Sequence, residues 1–225
     1  MFKEEIGNEF IVIQEGTSEG TQIKYRKDGF WYKKDNRGHE GRAKFMEFTS
    51  LKTSEYVTYE EGTINGSSGC RSRNFLTGEE ELITFYRLYY NEVGKDLSKV
   101  IGNMDTMEER IEYVVSFIKE SCELDVKEYL SKIFMLDMIC LNEDRHLNNL
   151  AIIMNGDKFT PAPIFDNGIA LLTANQSVNR HFPIADNVKR IVARPFSGSH
   201  EKMMEYFGKG FSVDVNSALD WLDTE

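Results

Sequence analysis

The sequence predicts an α+β fold in two lobes, a β-rich N-lobe over residues 1–75 and a mostly helical C-lobe over residues 76–225. Two observations predict it. Short runs of β-branched and aromatic residues fill the first third, and helical periodicity takes over after a loop-like stretch near residues 70–78. The length, 225 residues, suits one large domain or two small lobes around a cleft.

The elements follow in order. "EFIVIQ" (9–14), "TQIKYRK" (21–27) and "GFWYKK" (29–34) read as strands, the last two joined by a tight turn at Lys27–Gly29. A helix is expected over 38–51, a strand over 55–61 and a loop at "INGSSG", 64–69. "TGEEELITFYRLYYNEVG" reads as a helix opened by Thr77 as N-cap, with acids in its first turn. Helices are expected near 107–121 and 126–140, the latter with Val126, Tyr129, Leu130, Ile133 and Phe134 on one face. "LAIIM" and "KFTPAPIF" predict a hairpin turning at Asn155-Gly156, and "SHEKMMEYFG" and "DVNSALDWL" return to helix.

Composition narrows the function classes. A formal net charge of −10 argues against a general nucleic-acid binder, which needs a basic surface, and mildly against anionic membranes. The three cysteines, Cys70, Cys122 and Cys140, have no ligand-like spacing, which suits a reducing cytoplasm better than a disulfide framework or zinc site. Neither a signal core at the start nor a long apolar run is present, so a soluble, intracellular protein is expected, with no membrane partner.

The chemistry concentrates in "LNEDRHLNNL", Leu141–Leu150, where an acid, a guanidinium, an imidazole and two amides lie between apolar runs. Asp144 and Asn149 share this loop, and Asp166 of "FDNG" follows the predicted hairpin, which can return the chain to the loop. Phosphoryl transfer needs such a set: a carboxylate to orient the attacking hydroxyl, and oxygen ligands for magnesium on the phosphates. Taken singly the signals are weaker. "DNG" alone is an ordinary turn, and His146 alone is a core histidine that pins its loop. Arg145 suits a structural role or a phosphate clamp. The glycines of "GTSEGTQIK" (16–24) let backbone N–H groups approach an anion, although a plain turn explains them as well. One of Lys33 and Lys34 must face the inner side of its strand, where it reaches a cleft or ends in solvent.

"DRHLNN" followed by "PAPIFDNG" resembles the catalytic segment of HipA-like serine/threonine kinases, within the wider protein-kinase-like and phosphoinositide-kinase-like fold. "GTQIK" is similar to that family's phosphate loop, "WYKKD" to its lysine strand and "GHEGRAKF" to the following helix. "SRNFLTGEEELITFYRLYY" resembles the segment joining the lobes in its smaller members, including the CtkA type. The resemblance covers most of residues 16–170. It implies ATP and Mg2+ as cofactors and transfer of the γ-phosphate to a Ser or Thr of a protein. It makes Asp144 the acceptor of the hydroxyl proton, in a catalytic set with His146, Asn149 and Asp166, and makes Asn149 and Asp166 the magnesium ligands. Lys33 would meet the α- and β-phosphates, with Lys34 as its register competitor, and Gly20, Thr21 and Gln22 would lie over them. Asp137, an acid among apolar neighbours, is expected to anchor the loop backbone.

The sequence departs from the family where a glutamate usually pairs with the lysine: the step is Ala43-Lys44, so Glu40 or Glu47 has to substitute. A pseudokinase or partner-regulated binding module, and a kinase of a small molecule or lipid head group, therefore stay open beside the protein kinase. The resemblance also raises a toxin role with an antitoxin, a separately encoded N-terminal partner, and autophosphorylation at Thr17 or Ser18 that would expel the phosphate loop.

Overall fold

The computed structural model describes residues 1–12, 23–34, 44–166, 181–183, 186, 191, 193–196 and 199–223. Five strands build the first sheet: β1 (Phe2–Glu4), β2 (Lys24–Lys27), β3 (Phe30–Lys34), β4 (Glu60–Ile64) and β5 (Ser67–Arg73), in the order β1-β4-β5-β3-β2. Among these described strands β1 and β4 run parallel and the other neighbours antiparallel. The β2–β3 turn has Asp28 and Gly29 both at positive φ, 51° and 78°, the geometry a two-residue hairpin demands.

The expected loop at 64–69 is a second such hairpin, β4 to β5. Asn65 and Gly66 turn it at φ 52° and 73°, and the Asn65 amide also exchanges hydrogen bonds with the backbone of Ile6. The "NG" signal was present, but the small residues after it hid a strand. The strand expected over 55–61 moves to Glu60–Ile64. Of the strand expected at 9–14, the start lies in a 3-10 turn, Asn8–Phe10, after which Ile11 bridges to Tyr25 and Val12 donates to the Lys24 carbonyl; 13 and 14 lie outside the described residues. Of the helix expected over 38–51, residues 44–46 are helical and turns follow; 35–43 lie outside the described residues.

The second half carries a three-stranded sheet, β6 (Glu81–Thr84), β7 (Ala151–Asn155) and β8 (Lys158–Pro161), all antiparallel. Around it lie α1 (Phe85–Val93), α2 (Leu97–Gly102), α3 (Met107–Cys122), α4 (Lys127–Cys140), α5 (His200–Phe207) and α6 (Val215–Leu222). The helix expected from Thr77 is therefore a strand and then a helix. β7 supplies the pairing edge that wins over helical propensity for 81–84, and Thr84, not Thr77, caps α1 by accepting from the Arg87 N–H at 3.1 Å. α3 opens on a reciprocal capping box between Thr106 and Glu109. α4 buries far more than one stripe: Tyr129, Leu130, Ile133, Phe134, Met135, Leu136 and Cys140 are all in the core. Among the described residues no helix is long and apolar enough to cross a membrane.

One large apolar core runs from these helices up to Tyr56, Val57, Tyr59 and Cys70, so the first sheet is seated on it. A smaller cluster of Ile6, Tyr25, Tyr32 and Ile64 covers the sheet's other face. Two ladders cross between the halves. The segment 55–57 runs beside Ile164, whose N–H donates to the Glu55 carbonyl at 2.7 Å and whose carbonyl accepts from Val57 at 3.0 Å. Ser50 and Phe48 exchange backbone bonds with Ser212 and Asp214, and Phe48 stacks on Trp221.

Candidate active site

The loop after α4 is built around a buried ion pair. α4 ends where Leu141 turns left-handed, at φ 52°, leaving Asp137 one turn inside the core. A lone carboxylate there would be costly. The Arg145 guanidinium meets it with two bonds, Nε to Oδ2 and Nη2 to Oδ1, both 2.8 Å, and the Asn142 amide adds a third at 2.7 Å. Arg145 Nη1 also donates to the Phe165 carbonyl at 3.1 Å, tying the loop to the strand that leads to Asp166. Arg145 is thus a scaffold group facing inward, which excludes the phosphate-clamp alternative. Asp137 anchors the loop as expected, but through the side chains of Arg145 and Asn142 besides a backbone bond to Asn142.

The exposed side of the same loop carries the candidate chemistry. Asn142 Oδ1 accepts the Asp144 N–H at 3.1 Å, and the buried Asn149 donates Nδ2 to the Asp144 carbonyl at 3.2 Å. These bonds fix the Asp144 backbone and leave the Asn149 amide oxygen uninvolved in them. The Asp144 side chain stands open at the rim, yet enough protein surrounds it that partial burial raises its carboxyl pKa. Asp166 raises it further by repulsion, and His146, half-buried in the same loop, opposes both by its charge.

Asp166 lies where the two halves meet. Its backbone is left-handed, φ 51°, and its N–H donates to the phenolic oxygen of Tyr59 at 3.1 Å. Its carboxylate takes Lys33 Nζ on Oδ1 at 2.6 Å and Lys24 Nζ on Oδ2 at 3.5 Å. The β2–β3 register explains the pairing, since Lys24 and Lys33 are directly opposite and share a face. Strand alternation gives Lys34 the other face. Burial works against charge on Lys33, but the Asp166 carboxylate outweighs it and holds the ammonium above its ordinary pKa. On Lys24 burial prevails, helped by Lys33, and the pKa is lowered.

The structure thus brings Asp144, His146, Asn149, Asp166 and Lys33 into one region. Glu47 does not substitute as a partner for Lys33: it pairs with Lys44 at 2.6 Å on the surface, and the carboxylate at Lys33 is that of Asp166. Glu40, Gly20, Thr21 and Gln22, together with Thr17 and Ser18, lie outside the described residues. Two residues of the site escaped the sequence reading. Lys24 was derivable, because a two-residue turn at 28–29 fixes the register that sets 24 against 33. For Tyr59 no local signal existed.

No family model matches the chain, and no curated protein matches it. Among solved structures it is similar to a Helicobacter pylori proinflammatory kinase, CtkA. The TM-score is 0.53 at 19% identity, over 85% of this chain and 68% of that one. At that identity the likeness speaks for architecture. The fold is a two-lobed, kinase-like α+β fold.

Proposed function

We propose that the protein is an ATP- and magnesium-dependent HipA-like kinase that transfers a γ-phosphate to a Ser or Thr hydroxyl of a protein. The observation that carries the reading is the meeting at Asp166 of two lysines from the sheet, beside a rim carboxylate, Asp144, on a loop locked from behind. The donor set fits the metal: Asn149 and Asp166 offer hard oxygen atoms, and one or two carboxylates are what magnesium takes when nucleotide phosphates and water complete its shell. These two residues would hold the ion, which supplies neutralisation of phosphate charge when bound. Lys33 and Lys24, released in part from Asp166, turn their charge to the phosphates. Asp144 orients the acceptor hydroxyl and takes its proton while the acceptor oxygen bonds to the γ-phosphorus. The bond from that phosphorus to the β–γ bridging oxygen breaks, and ADP leaves.

Incubation with labelled ATP and magnesium tests this. Wild-type protein is expected to label itself or an added protein acceptor, and Asp166→Ala and Asp144→Ala are expected to lose the label. Equal labelling of all three would overturn the assignment.

One observation favours a second reading, a nucleotide-binding pseudokinase: Glu47, which could have paired with Lys33, is engaged by Lys44. Thermal stabilisation by ATP without turnover would select it.

A further inference from the structure

Tyr59 lies in the segment that crosses from the lobe-joining ladder into β4, outside the loop, lysine strand and "DNG" elements that define the proposed chemistry. Its position is nonetheless specific. The ladder at Glu55, Val57 and Ile164 sets two chain segments side by side, and two residues further along each of them Tyr59 meets Asp166. The phenol is buried, and its oxygen serves as an acceptor. What it accepts is the N–H of a non-glycine residue at φ 51°, a conformation that persists only where the surroundings hold it. Arg145 holds the preceding carbonyl, that of Phe165. Asp166 is therefore gripped from one side by the helical lobe and from the other by Tyr59 of the sheet-bearing lobe.

We infer that Tyr59 is a positioning residue: its hydroxyl fixes the left-handed backbone of Asp166 and so aims the carboxylate into the crevice where magnesium and nucleotide would bind. The alternative is a hydroxyl that merely satisfies a buried N–H. The inference rests on the proposed function for its consequence, but the aiming itself is measurable without nucleotide.

The test is Tyr59→Phe, which keeps the ring and removes the acceptor. Tyr89→Phe is the control, because the Tyr89 hydroxyl makes an internal bond, to Tyr113, away from Asp166 in the sequence. Two quantities are read: hydrogen exchange of the 15N-labelled Asp166 amide in nucleotide-free protein, and the Mg2+ concentration that half-saturates binding of a fluorescent ATP analogue. For Tyr59→Phe the amide is expected to exchange about tenfold faster and the Mg2+ requirement to rise about tenfold, the equilibrium worth of one neutral buried hydrogen bond. Tyr89→Phe is expected to change neither. An unprotected Asp166 amide in the wild type overturns the inference even if the variant fails to fold. Wild-type binding with an unshifted Mg2+ requirement in Tyr59→Phe overturns the inference alone. Wild-type protein without Mg2+-dependent nucleotide binding overturns both the inference and the proposed function.

Discussion

Two aspartates in this protein meet cationic side chains at nearly the same distance, and they have opposite fates. Asp137 meets Arg145 at 2.8 Å with side chains 2% and 0% exposed, while Asp166 meets Lys33 at 2.6 Å with side chains 24% and 11% exposed. In the first pair every carboxylate oxygen is committed, to a rigid planar guanidinium and an amide. In the second, two flexible lysines approach from one strand hairpin, one oxygen each, and the side chains keep some exposure. The same chemistry is therefore scaffold where water is shut out and both partners are locked. On the proposed function it is exchangeable where solvent and a nucleotide compete for the charges.

The largest effect should come from breaking the buried pair. Asp137→Ala leaves an unpaired guanidinium in the core and is expected to cost about 3–5 kcal/mol of stability, read by denaturant unfolding. Replacing both partners, Asp137→Leu with Arg145→Met, should recover a good part of that stability while the loop, no longer tied to Phe165, loses activity. A double variant that keeps full activity would contradict the scaffold role. Next is Asp166→Ala, expected to lower phosphate transfer about a hundredfold or more at a stability cost well below that of Asp137→Ala, measured by labelling and thermal denaturation on the same samples.

The third sharpens the chemistry at the rim. On the proposed function Asp144 acts as a base only when ionised, and its raised pKa means protonation sets in at a higher pH than for an ordinary aspartate. Activity should therefore fall as pH drops through that raised value, about tenfold per pH unit below it, and recover above. A pH–rate profile whose acid limb lies within the ordinary aspartate range would remove Asp144 as the base. The smallest effect belongs to the surface pair. Lys44 and Glu47 are roughly half exposed, so Lys44→Ala should change stability by no more than about 0.5 kcal/mol and activity within about twofold. A large loss of activity would give Lys44 a role that its geometry does not.

Particular residues show how far the sequence could be read. The "DRHLNN" and "DNG" groups were identifiable as one candidate set because a hairpin of known turn chemistry lay between them. Arg145 was not decidable, since an arginine in such a loop points to core or to ligand with equal local logic, and only its neighbours Asp137 and Phe165 decide. The strand at Glu81–Thr84 was read as helix because its acids and leucine suit a first helical turn, and its partner lies some 70 positions away.

By itself the sequence determined what acts over a few residues: the Asp28-Gly29 turn, the apolar face of Val126, Tyr129, Leu130, Ile133 and Phe134 along α4, and a candidate set of side chains for phosphoryl chemistry. The tertiary structure alone decided which cation meets which acid, that Tyr59 stands under Asp166, and which half of a polar loop is buried. Those choices depend on burial and on contacts more than a hundred positions apart, such as Lys33 to Asp166 and Tyr59 to Asp166, and no local propensity encodes them.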